Sequence, residues 1–191
     1  MIDVFASYLR ERFKLRVFGV AAAVHATAAL WVAGTGPTPR SISVALGVTI
    51  ALLLQFRLWD DLEDRERDRL LHPDRLLVRS DPSPFRFVRS VLAFANLLLV
   101  AATGSLTAAG ALVALNLFFW LAYGKLRSRL SDRSWRFQVL LIKYPLFVAL
   151  VAATLGPVPT WRLFAASGVI YICACAYESL HDRQLPLGAI S

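Results

Sequence analysis

Six apolar blocks, at about residues 17–34, 42–59, 87–104, 106–123, 137–156 and 161–177, decide what this chain can fold into. Each is close to the ~20 mostly apolar residues that cross a bilayer as a helix. In hydrocarbon every backbone N–H and C=O must be satisfied within the protein, which leaves helices or a closed barrel. The blocks lack the alternation of a barrel strand. The composition agrees: the chain is 57% hydrophobic, against roughly 45–50% apolar residues in an average soluble domain. The expectation is an all-α fold, a polytopic transmembrane bundle of about six spans, with residues 1–191 forming a single integral-membrane domain.

The net charge of +8 could suggest nucleic acid, but its distribution speaks for a membrane. With the N-terminus in the cytoplasm, the inner segments hold Arg10, Arg12, Lys14 and Arg16, then the arginines from Arg65 to Arg89, then Lys125 to Arg136, and finally Arg183. Only Arg40 and Arg162 fall outside, while Arg57 and Lys143 lie within spans. Positive charge concentrated on one side fixes orientation in an inner membrane. It places both termini in the cytoplasm and gives the inner face an attraction for anionic lipid or anionic substrate. Nucleic acid is not an expected partner. No short apolar core with a cleavage site opens the chain, so no removable leader is expected, and residues 1–16 read as an amphipathic cytoplasmic lead-in. Cys173 and Cys175, a C-x-C pair inside the last block, match neither disulfide nor zinc spacing and read as small packing residues.

Glycine and proline punctuate three short outer turns: Gly34 to Pro39, Gly104-Ser105, and Gly156-Pro157-Val158-Pro159. The inner connections, about 60–86 and 124–136, are longer and polar, as functional loops tend to be. The first opens with a dense acidic run, Asp60-Asp61-Leu62-Glu63-Asp64-Arg65-Glu66-Arg67-Asp68. On a continuous helix, Asp61, Asp64 and Asp68 (i, i+3, i+7) share one face. A second pair, Glu178 and Asp182 (i, i+4), follows the last block on the same side. Oxygen-only ligands favour a hard cation such as Mg²⁺, which binds through a few carboxylates together with substrate phosphates. Two such clusters facing one another would suit a Mg²⁺–diphosphate, with arginine and lysine gripping the phosphate oxygens. A solvated helix laced with ion pairs is the competing reading of the first cluster. Arg57 and Lys143, charged within spans, are expected either to snorkel to the interface or to face the acidic clusters and a diphosphate. His25, Asn96 and Asn116 are expected to hydrogen-bond between helices. The tryptophans (Trp31, Trp59, Trp120, Trp135, Trp161) suit an interfacial belt.

Asp60-Asp61-x-x-Asp64-x-x-x-Asp68 resembles the first motif, N-D-x-x-D-x-x-x-D, of the UbiA-type membrane prenyltransferases. Asp68-Arg69 and His72-Pro73-Asp74-Arg75 are similar to the basic, proline-containing stretch behind it. Tyr123-x-x-x-Arg127 looks like the family's Y-x-x-x-K after the fourth span, and Glu178-x-x-x-Asp182 like its second D-x-x-x-D motif. The order holds over nearly the whole chain. The resemblance implies Mg²⁺-dependent transfer of a prenyl group from an isoprenyl diphosphate to a lipophilic acceptor. It implies metal ligands at Asp60, Asp61, Asp64, Asp68, Glu178 and Asp182, catalytic roles for Asp61, Asp64 and Asp68, and substrate contacts from Arg69, Tyr123 and Arg127. Asp60 stands for the family's Asn, Glu178 for an Asp and Arg127 for a Lys. Members commonly have nine spans. A six-span chain is a compact branch, one that completes its wall as a homo-oligomer, or a non-catalytic relative acting as a membrane interaction protein. A CDP-alcohol phosphotransferase would need a D-G-x-x-A-R stretch that the chain lacks.

Overall fold

The computed structural model describes residues 2–126 and 140–182. Among these residues all regular structure is helical. In chain order the helices are α1 (Ile2–Arg12), α2 (Leu15–Ala33), α3 (Pro39–Glu63), α4 (Arg65–Leu71), α5 (Leu76–Arg79), α6 (Ser83–Ala101) and α7 (Leu106–Leu121). A π-helical turn (Ala122–Leu126) extends α7, and α8 (Lys143–Leu155) and α9 (Thr160–Asp182) follow. Five helices are long and apolar enough to cross a membrane: α2, α3, α6, α7 with the start of its π turn, and α9. The fifth apolar block gives the shorter apolar helix α8; residues 137–139 of that block lie outside the described residues.

Local chemistry sets the turns. Gly34 takes φ +66°, a left-handed conformation that only glycine adopts cheaply, and its N–H closes α2 on the Leu30 and Trp31 carbonyls at 3.1 and 3.3 Å. Thr38 then opens α3 with a reciprocal cap. Its hydroxyl accepts from the Ser41 N–H at 3.1 Å, Ser41 Oγ accepts from the Thr38 N–H at 2.9 Å, and Pro39 fills the first turn, where a missing N–H costs nothing. Gly104, at φ +83°, and the Ser105 cap on the Ala108 N–H make the tight link from α6 to α7.

Helices α3 and α8 lie at the centre. In the apolar stretch of α3, 44% of residues are buried, against 17% in α6 and 11% in α9. Helix α2 packs chiefly on α3 and α8 through Ala22, Ala26, Ala29 and Ala33, small residues that let helix backbones approach where no hydrophobic driving force operates. The outward faces of α6 and α9 carry Phe87, Val91, Phe94, Leu98, Phe164 and Ile172, side chains at home in lipid. Cys173 also faces outward and Cys175 is half-buried, so the pair is not core packing. Trp31 and Trp161 meet edge to face at 5.6 Å at one end of the bundle, and Trp59 lies at the other end of α3; Trp135 lies outside the described residues.

Three helices are tied by a buried amide chain. Gln55 donates to Asn116 Oδ1 at 2.6 Å, and Asn96 donates to Gln55 Oε1 at 2.6 Å and to the Ala51 carbonyl at 3.1 Å. Asn96 and Asn116 therefore bond between helices as expected, with Gln55 as the link. His25 does not: its Nδ1 pairs with the Ala21 carbonyl of its own helix at 2.7 Å, because the neighbouring faces at its level are the aromatic rings of Tyr144 and Phe147.

Replacing Gln55 by Leu leaves both asparagines without their shared partner. It is expected to lower stability by about 1–2 kcal/mol, measurable by denaturant unfolding in detergent micelles.

Candidate functional site

The apolar run of α3 passes without interruption into the acidic run, so Asp60 and Asp61 belong to the last turn of a buried helix. Helix α3 ends at Glu63, Asp64 occupies the junction, and Asp68 lies on the separate helix α4. The turns stay in register through the bend, with Asp64 N–H on the Asp60 carbonyl and Asp68 N–H on the Asp64 carbonyl, both at 2.8 Å. The 60–86 connection is thus mostly helical. Arg65 organises it by donating to the carbonyls of Leu77, Val78 and Ser80 at 3.0–3.2 Å, which closes α5.

The adjacent carboxylates Asp60 and Asp61 divide between two sides of the chain. On the first side, Asp60 accepts hydrogen bonds from the Tyr123 hydroxyl and the Lys143 ammonium. Tyr123 sits in the π turn after α7 and Lys143 is the first residue of α8, with only 4% of its surface exposed. Its ammonium also lies 5.4 Å from the Tyr144 ring centre. Glu63 and Asp64 act electrostatically on Tyr123, and Glu178 of α9 acts on Tyr144. Residues separated by 63 and 83 positions in sequence therefore meet where the apolar part of α3 ends.

On the second side lies Asp61, 4% exposed. Arg12 grips it bidentately, at 3.0 Å from Nε and 2.6 Å from Nη2, Tyr8 donates its hydroxyl at 2.9 Å, and Arg57 approaches to 3.2 Å. Burial and the Asp61 charge push the Tyr8 phenol far up, so it remains a donor at any physiological pH. Burial works most strongly against the charge on Arg12, but the Asp61 hydrogen bond together with the electrostatic pull of Asp61, Tyr8 and Asp68 outweighs it and holds Arg12 cationic. Asp68 also acts on Arg12 and forms an ion pair with Arg75. Arg69 turns away to Glu66 at the surface, at 2.8 Å.

Asp60, Asp61, Asp64, Tyr123, Lys143 and Arg57 thus gather at the C-terminal end of α3, while Asp68 on α4 is paired with Arg75. Arg127 and the side chain of Asp182 lie outside the described residues. Among the described residues no three carboxylate, histidine or cysteine side chains converge as a metal ion would need. The donors are right in kind for Mg²⁺, which takes one or two carboxylates together with substrate phosphates, and in this structure Asp60 and Asp61 are each engaged by cationic side chains. The expectation of one continuous helix carrying Asp61, Asp64 and Asp68 is corrected in one respect: α3 ends at Glu63 and Asp68 lies on α4, although Asp61 and Asp68 both still act on Arg12. A cleft of about 520 Å³ between residues 103–107 and 153–158 opens at the other end of α8, roughly 20 Å away by helix rise. It has no charged lining residue.

Sequence reasoning gave no site role to Tyr8 or Arg12 and named Arg75 only within the basic stretch behind the first motif. Tyr8 and Arg12 stand at i and i+4, the spacing that puts two donors on one face of a lead-in helix.

No protein-family model, no curated protein and no solved structure matches this chain.

Lys143→Met removes the buried counter-charge of the half-buried Asp60 carboxylate and is expected to cost about 1–3 kcal/mol. Adding Asp60→Asn should restore most of that loss, and unfolding of the single and double variants in micelles measures both.

Proposed function

We propose that this chain is an integral membrane enzyme of the UbiA prenyltransferase type, transferring a prenyl group from an isoprenyl diphosphate to a lipophilic acceptor. In this reading α8 is the fifth of six spans, the protein resides in an inner membrane, and both termini and the acidic face are cytoplasmic. The observation that carries the reading is the meeting of Asp60, Tyr123 and Lys143. One comes from the acidic motif, one from the Tyr-x-x-x-Arg motif and one is a charge inside an apolar block, and all three arrive at the same membrane-boundary position. Such a position offers charge to a diphosphate and apolar helix faces to its isoprenoid tail.

The chain's own residues supply the binding terms. Lys143 and Arg57 would hold diphosphate oxygens, and their charge would favour departure of the diphosphate at the allylic carbon. The hydrocarbon surroundings would keep water from the electron-poor carbon. Mg²⁺ remains the expectation of the sequence resemblance, and no step here is routed through it.

A second reading, a non-catalytic membrane protein that retains the arrangement, is favoured by Asp61. Its carboxylate is saturated by Arg12, Arg57 and Tyr8, as a purely structural carboxylate would be.

Purified protein in nanodiscs is expected to consume an isoprenyl diphosphate in the presence of Mg²⁺, with the activity lost in Asp64→Ala and Asp61→Ala. Folded protein that neither binds nor consumes the diphosphate leaves the second reading. Reporter fusions after residue 80 and at the C-terminus are both expected on the cytoplasmic side; an outward C-terminal reporter would refute the six-span topology.

A further inference from the structure

Helix α1 is attached to the bundle by little. It joins α2 through Phe13 and Lys14, packs chiefly on the four-residue helix α5, and fully buries one side chain, Tyr8. Tyr8 shares an apolar cluster with Leu58, Leu77 and Phe85, and Phe5 and Leu9 of the same helix pack against it half-buried. Beside that apolar contact stands a dense polar one, since Tyr8 and Arg12 both end on Asp61. Glu11 adds a bond to the Leu76 N–H at 3.2 Å. The helix therefore lies over Asp61, and the carboxylate it covers supplies its polar attachment through Tyr8 and Arg12.

Arg57 gives a second, independent sign. It reaches Asp61 through Nη2 at 3.2 Å, yet its Nε is buried without a partner. A guanidinium with an unused donor beside a second guanidinium on the same carboxylate presents the forked donors that recognise phosphate oxygens. An anion placed there would compete with Asp61 for both arginines.

We propose that α1 is a cover latched on Asp61, and that a diphosphate group releases it by drawing Arg12 and Arg57 off the carboxylate. The identity of the ligand rests on the prenyltransferase reading; the latch itself does not. The exchange is one of partners: two guanidinium groups pass from a carboxylate to a diphosphate, and Asp61 is left open for a cation. Tyr8 then retains only its packing against Leu58, Leu77 and Phe85.

The test uses the full chain in nanodiscs, with a nitroxide at exposed position 7 (Ser7→Cys in a Cys173→Ala, Cys175→Ala background). Wild type should give an immobilised spectrum. Arg12→Ala should shift it to a mobile one without any ligand, and Tyr8→Phe should shift it part of the way. Arg12→Lys, which keeps the charge but loses the fork, carries the test if Arg12→Ala does not fold. Inorganic diphosphate with Mg²⁺ should mobilise the wild-type label, while sulfate at the same ionic strength should not. An unchanged spectrum in folded Arg12→Ala or Arg12→Lys protein overturns the latch, and an immobile wild-type label at saturating diphosphate overturns its release by that group. Absence of prenyl transfer with the label still freed by Arg12→Ala would instead reject the enzyme reading and keep the latch.

Discussion

Everything at the charged end of this bundle depends on the cost of burying a carboxylate. Asp61 is buried and Asp60 half-buried in the last turn of a central helix, where an unpaired charge would cost several kcal/mol. Each must be compensated, and the compensation comes from distant parts of the chain: Lys143 and Tyr123 for Asp60, Arg12, Arg57 and Tyr8 for Asp61. These obligations bring α1, α3, the π turn and α8 to one place. Neighbouring carboxylates that might have shared one ion are therefore divided between two sets of cations.

The π turn has its own part in this. Inserting one extra residue into a helical turn rotates the side chains beyond it, and such turns recur at functional positions. Here it comes after the last regular turn of α7 and carries Tyr123, whose hydroxyl meets Asp60 across the bundle.

The apolar blocks make most of the fold legible in the sequence. Five of them correspond to long apolar helices, because a run of about 20 apolar residues has few alternatives, and the glycine and proline turns fall where those residues stand. Asn96 and Asn116 are legible because a lone amide in hydrocarbon needs a partner. The acidic run is not legible in its geometry. Spacing alone gives Asp61, Asp64 and Asp68 one face, and nothing local reveals that the helix ends at Glu63 or that cations from α1 and α8 claim the carboxylates. The Arg12–Asp61 and Lys143–Asp60 pairs join residues 49 and 83 positions apart and depend on packing that no short window contains. His25 departs from expectation for a related reason: a histidine can bond to its own helix when the facing surfaces are aromatic.

The amide chain of Gln55, Asn96 and Asn116 has a mechanical consequence. Directional bonds at one level of α3, α6 and α7 resist both sliding and rotation, so these helices form the stiff half of the bundle. Helix α2 meets α3 through alanine and apolar contacts, which tolerate small shear, and α8 meets it through apolar contacts and the Asp60–Lys143 pair. Asp60 and Tyr123 belong to the stiff half and Lys143 to the compliant one. The Asp60–Lys143 pair therefore works as a clasp across the seam, and a change in its charge would be felt as relative movement of the two halves.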